Sequence, residues 1–161
     1  LENVKMAQFA QDIISDTLGV KPIAINSALV SAQNRQRLYW TNIPQHDLPE
    51  DAGLVLADIL DDDAYATDEM TTKQNKSFAL TASYEGAVAW NSIERKQRTM
   101  IGTATNADGS MKYRKLTVTE CLRLQTYPDG YCDSVSKTRA YKMIGNSFTV
   151  KVIEHLLKGF K

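Results

Sequence analysis

With 161 residues, 43% of them hydrophobic and 24% charged, the chain has the make-up of one ordinary globular domain, which excludes a disordered or collagen-like segment. Nineteen basic residues balance nineteen acidic ones, so the overall charge lends no support to nucleic-acid binding, which usually shows as a basic excess. No apolar run approaches the roughly 18 residues that span a bilayer, and the first residues carry no signal-peptide pattern; the expectation is a cytoplasmic protein without membrane contact.

Met6, Phe9, Ala10, Ile13, Ile14, Thr17 and Leu18 recur at three- and four-residue steps and are followed by Gly19, which predicts an amphipathic helix with a glycine stop. Ile23, Ile25 and Ser27 alternate with Ala24, Asn26 and Ala28 as in a strand, and residues 37–42 have the aromatic character of a second strand, with Ser31 to Asn34 as the joining turn. After Pro44 the texture changes. Asp47, Glu50, Asp51, Asp58, Asp61, Asp62, Asp63, Asp68 and Glu69 follow one another with no Lys or Arg among them. Residues 78–82 and 100–104 read as short strands of a small mixed domain, and residues 106–110 as a turn. Thr117 and Glu120 have capping-box spacing for a helix through Thr126, which Pro128-Asp129-Gly130 ends. A last helix is expected from Asn146 or Ser147, with Phe148, Val152, Ile153, Leu156, Leu157 and Phe160 on one face.

Between Glu94 and Arg123 the charge reverses: Arg95, Lys96, Arg98, Lys112, Arg114, Lys115 and Arg123 outnumber Glu94, Asp108 and Glu120. A basic stretch facing phosphate with acids turned away suits a DNA-binding surface; two solvated surfaces of opposite sign would look the same. Cys121 and Cys132 fit no metal-ligand spacing, and neither follows a proline or has an activating neighbour, so neither is expected to be a nucleophile. Cys121 should face the buried side of its helix. His46 and His155 are expected at the surface.

Three stretches carry a family resemblance. The first is Ala32-Gln33-Asn34-Arg35-Gln36-Arg37-Leu38-Tyr39. The second runs from Arg114-Lys115-Leu116-Thr117 through Glu120, Arg123-Leu124-Gln125 and Tyr127-Pro128-Asp129 to Tyr131. The third is Tyr141-Lys142-Met143-Ile144-Gly145-Asn146-Ser147 with the closing helix. In this order and spacing they resemble the DNA cytosine-C5 methyltransferases, and Glu2-Asn3-Val4 then reads as the family's Glu-Asn-Val. Lys76 to Ser83 is similar to a Leu-Thr-Ala segment of phage and bacterial members. Val118 stands where the family usually has proline. The family's glycine-rich cofactor loop and its Pro-Cys nucleophile loop precede Glu-Asn-Val and are not in this sequence. The resemblance implies an α/β fold: the C-terminal part of a Rossmann-like, S-adenosylmethionine-dependent methyltransferase domain (1–43 and 134–161) plus a small mixed target-recognition domain (44–133).

In that family a cysteine thiolate adds to C6 of a flipped cytosine, and C5 then attacks the methyl group of S-adenosylmethionine, so negative charge develops at N3 and O2. By resemblance, Glu2 is the carboxyl group at N3, Arg37 the donor to O2 and Arg35 the residue that positions them. Two arginines two apart on a strand would share a face. Gln33 is expected to shape the turn. Asn146 and Ser147, at the expected start of the last helix, would border a cofactor pocket that is incomplete in this chain. Arg95, Lys96, Arg98, Lys112 and Arg114 are candidates for DNA phosphate, and Thr81, Ser83 and Tyr84 for base contacts. The implied partners are double-stranded DNA and an N-terminal half of the same enzyme, without which the chain is inactive. Apolar surface at Phe9, Ile13, Ile25 and Val152 would drive self-association. A non-catalytic DNA-recognition or regulatory module and a prophage remnant are the alternatives.

Overall fold

The computed structural model describes residues 1–44, 47–61 and 64–160; His46, Asp62 and Asp63 lie outside the described residues. The chain opens with strand β1 (Glu2–Val4) and helix α1 (Gln8–Leu18), which stops at Gly19 in the left-handed conformation, φ 68°. Three further strands follow: β2 (Ile23–Asn26), β3 (Gln33–Asn34) and β4 (Gln36–Tyr39). β4 lies centrally between β1 and β2 in an antiparallel sheet. Period-two alternation puts Ile25 and Tyr39 on one face, where they meet Val152 and Leu156 in a small core. The prediction of bare apolar surface therefore fails at Ile25 and Val152, which cover each other's face. It holds at Phe9 and Ile13, 70% and 63% exposed, on a helix with no buried residue. The Trp40 indole donates to Ser15 Oγ of α1 at 3.0 Å.

Residues 31–34 are not the joining turn. The chain turns at 27–29, where Asn26 Oδ1 accepts from Ala28 N and Arg35 N, while β3 pairs in parallel with β5 (Ser77–Phe78). The reason is burial: Ser31 and Gln33 are closed from solvent and both donate to Leu124 O. The strand expected over 78–82 shrinks to β5 because the Leu80 amide turns to Gln33 Oε1.

A short helix α2 (Ala89–Ile93) precedes the hairpin of β6 (Met100–Thr105) and β7 (Met111–Lys115), joined by the expected turn with Gly109 at φ 82°. The capping box is present: Thr117 Oγ1 accepts from Glu120 N and Glu120 Oε2 from Thr117 N. The helix it starts, α3 (Val118–Leu124), is shorter than expected, and Thr126 leaves it with φ 59°.

The last helix does not begin at Asn146 or Ser147. Asn146 closes an unexpected helix, α4 (Lys137–Asn146), Ser147 is extended, and α5 (Val150–Leu157) starts from Thr149. Thr149 is fully buried, with its hydroxyl bonded to Ser27 Oγ and Gln125 Oε1, which fixes where the chain turns. Only Val152 and Leu156 of the expected face are buried; Phe148, Leu157 and Phe160 are exposed. Ala140, Tyr141 and Ile144 of α4 join Leu80, Ile101 and Leu122 in the larger core, so α4 packs with α3 and the 84–86 turn. No helix among the described residues is long and apolar enough to cross a membrane.

Candidate active site

Antiparallel pairing sets Glu2 opposite Tyr39 and Val4 opposite Arg37, so Glu2 and Arg37 are diagonal neighbours on one sheet face, within reach of long side chains. Arg37 Nε lies 3.2 Å from Glu2 Oε1, with the side chains 16% and 31% exposed. The contact is an ion pair without hydrogen-bond geometry: Glu2 Oε1 is buried and finds no hydrogen-bond partner among the described residues. A carboxylate left in this state keeps an acceptor for something else. Beneath the pair, burial and the nearby Glu2 push the Tyr39 phenol up to about 12, so it stays neutral.

Arg35 lies in the break between β3 and β4 and is 4% exposed. Its Nη1 donates to Leu80 O at 2.7 Å and its Nη2 to Ser147 O at 2.8 Å, while Nε has no partner among the described residues. Burial first, then the charge of Arg37, lowers its pKa, with Glu2 opposing. The guanidinium thus ties the Leu80 backbone to the turn carrying Asn146 and Ser147. The two arginines hold different partners: Arg37 pairs with Glu2, and Arg35, close enough to feel both charges, acts as a clamp.

Gln125 does a parallel job. Its Nε2 donates to Ile144 O and Ser147 O, and its Oε1 accepts from Gln33 Nε2 and Thr149 Oγ1. Its place inside the second quoted motif was the available signal, but nothing in the sequence gave it a role. Lys76 was also missed. Nearly buried, its ammonium donates to the carbonyls of Ala28, Ser31 and Leu54, and burial lowers its pKa. Gly145 admits the Thr81–Ala82 backbone, which any side chain there would strike.

The expected DNA contacts divide. Thr81 Oγ1, Ser83 Oγ and Arg98 Nη2 form one exposed cluster, with steps of 3.2 and 2.9 Å. Tyr84 is not at the surface: buried, its hydroxyl donates to Thr99 O and accepts from Leu116 N. Arg95 stacks on Trp90, 4.2 Å from the ring centroid. Lys96 and Lys112 are exposed. Arg114 is committed elsewhere, in a two-pronged bond to the fully buried Glu120 carboxylate at 2.8 and 2.9 Å. Burial would raise the Glu120 pKa, but donation from Arg114 and from the Asp61 and Thr117 amides leaves it lowered.

Asn146 is exposed, and Ser147 borders a cavity of about 200 Å³ walled by Tyr127, Tyr131 and Met143. That is smaller than the roughly 300–1,000 Å³ of small-molecule sites, and of the two expected cofactor residues only Ser147 lines it. A wider cleft of about 640 Å³ beside α5 holds none of the expected site residues and mixes Asp47 and Glu50 with Lys151. Cys121 and Cys132 are buried and burial raises both thiols, which does not suit a nucleophile. His155 reaches Asp47 O at 2.8 Å. No cluster of metal-ligating side chains occurs among the described residues.

A family model described as C-5 cytosine-specific DNA methylase matches residues 19–161. The type II methyltransferase M.NlaX of Neisseria lactamica is 31% identical over 155 residues, which take in 80% of this chain and 48% of that protein. The orphan methyltransferase M.SPBetaI of Bacillus phage SPbeta is 31% identical over 100 residues, 59% of this chain and 21% of its own length. The chain thus spans about half or less of the curated relatives it matches. The crystal structure of S. pombe Dnmt2 methyltransferase superposes with a TM-score of 0.63 at 15% identity, covering 98% of this chain and 66% of that one. At that identity the likeness shows the fold alone, a Rossmann-like methyltransferase fold.

Proposed function

Because the chain belongs to the C-5 cytosine-specific DNA methylase family, we propose that it is the base-holding and DNA-reading portion of a DNA (cytosine-5-)-methyltransferase. The observation that carries this reading is the Glu2–Arg37 pair: a carboxylate whose buried oxygen is ion-paired to a guanidinium on the adjacent strand yet accepts no hydrogen bond among the described residues, with Arg35 locked close by. Double-stranded DNA is the substrate and the cytoplasm of a bacterium or phage-infected cell the setting.

In this reading Glu2 shares a proton with N3 of the extruded cytosine while Arg37 donates to O2. Both stabilise the negative charge that appears on the ring when a thiolate from the N-terminal half adds to C6. Arg35 touches neither ring atom; it holds Leu80 and Ser147 at fixed distance from the pair. Asn146 and Ser147 complete one wall of the cofactor site. The methyl group comes from S-adenosylmethionine when that cofactor is bound. Arg95, Lys96 and Lys112 meet phosphate.

Complementation tests it. This chain mixed with a matched N-terminal half should transfer labelled methyl groups to duplex DNA, and neither part should do so alone. Two folded halves that assemble and transfer nothing would overturn the reading. A non-catalytic DNA-recognition module predicts instead salt-sensitive DNA binding by this chain with no gain of transfer on mixing.

A further inference from the structure

Leu80 is gripped at both ends of its backbone. Its amide donates to Gln33 Oε1 at 3.3 Å, and its carbonyl accepts from Arg35 Nη1 at 2.7 Å. The two holders meet again behind it. Gln33 Nε2 donates to Gln125 Oε1 at 2.9 Å and Gln125 Nε2 to Ser147 O at 3.3 Å; the same Ser147 oxygen accepts from Arg35 Nη2 at 2.8 Å. The bonds therefore close a ring through Leu80, Gln33, Gln125, Ser147 and Arg35, residues that come from widely separated parts of the chain.

The ring has one polarity. Gln33 Nε2 also donates to Leu124 O at 2.6 Å and Gln125 Nε2 to Ile144 O at 3.0 Å, while Gln125 Oε1 accepts from Thr149 Oγ1 as well. Turning the Gln33 amide over would set its oxygen against Leu124 O and its donors against the Leu80 amide. Turning Gln125 over would set its oxygen against Ile144 O and Ser147 O. Both side chains are fully buried and their amide protons are used, so neither is left to touch DNA or cofactor. What they can do is hold other groups in place. Arg35 is the group they hold nearest the candidate site: its amide donates to Asn26 Oδ1 and its carbonyl accepts from the Ser27 amide. Arg37, which pairs with Glu2, stands two residues further on, about 7 Å along an extended strand.

We infer that Gln33 and Gln125 are positioning residues that act as one unit, setting Arg35, and through β4 the Glu2–Arg37 pair, against the Ser147 turn. This deepens the DNA-methyltransferase reading above and rests on it.

Two measurements test it. In the chain itself, hydrogen exchange at the Leu80 amide reports the far side of the ring, because that amide bonds to Gln33 and not to Gln125. Gln125→Met should speed exchange at Leu80 severalfold and leave the amides of the β6–β7 hairpin as they are in the wild type. In the methylating complex with an N-terminal half, Gln33→Met, Gln125→Met and the double variant are compared at a temperature where unfolding curves show each chain folded. Each single variant should lower kcat roughly 10- to 100-fold, the loss that follows when a reacting geometry is misplaced by about 1 Å, with KM for DNA unchanged. The double variant should be no slower than the slower single one, since a ring already open is not opened again. Losses that multiply would mean that each glutamine acts locally, and would overturn the inference. So would a rate that only tracks the folded fraction, an unaltered kcat, or unaltered exchange at Leu80; all four leave the parent reading intact. A wild-type complex that transfers no methyl group removes both.

Discussion

Gly145, near the end of α4, lies against the backbone of Thr81 so closely that the position has no room for a Cβ. The glycine of the Gly-Asn-Ser motif is therefore a docking surface for the 81–82 backbone. Gly145→Ala should destabilise the chain by about 1–3 kcal/mol, as other overpacked interiors do, and shift the midpoint of urea unfolding. An unchanged midpoint would mean that the 81–82 segment moves aside at no cost.

Glu2→Gln keeps shape and removes the ionisable group. In the complemented enzyme it should slow single-turnover methyl transfer at least about 100-fold, the low end for a lost acid–base group. Stability should change by less than about 1 kcal/mol, because the Glu2–Arg37 pair is partly open to water. Rate loss matched by equal unfolding would contradict the assignment.

The Arg114–Glu120 pair should govern acid stability. Glu120 has a folded pKa below its ordinary 4.5, so it stabilises the fold fully above pH 4.5, and that contribution disappears as pH falls through the lowered folded value. Glu120→Gln should flatten the acid limb of a stability-against-pH curve. Glu120→Ala, which removes the buried carboxylate that accepts from Arg114 and from the Asp61 and Thr117 amides, should cost about 1–3 kcal/mol at neutral pH.

Phe9, Ile13 and Leu18 leave α1 with an uncovered apolar stripe. The isolated chain should sediment above monomer mass at high concentration, and Phe9→Glu with Ile13→Glu should return it to monomer. A monomeric wild-type chain would show that the stripe is tolerated bare.

Local signals served the sequence reading well. The Gly19 stop, the Thr117–Glu120 capping box and the 106–110 turn are one-segment features whose geometry depends on neighbours four residues away at most. Glu2 and Arg37 were placed at one site by the family resemblance alone, and the β1–β4 register is what brings them together. The misses share a cause. Thr149, Gln33 and Gln125 look like ordinary polar residues, yet their side chains bond across more than twenty positions and so decide where α5 begins and why 31–34 is not a turn. The exposed stripe of α1 and the buried face of α4 differ in what packs on them, and periodicity carries no such information.

Ser147 O accepts from both Arg35 and Gln125. The turn carrying Asn146 and Ser147 and the Arg35 clamp near the Glu2–Arg37 pair consequently share one carbonyl oxygen. A ligand that shifts that turn should therefore also move Arg35, and because linkage is reciprocal, any factor by which it changed the affinity for a second ligand held near Arg35 would equal the factor by which that second ligand changed its own.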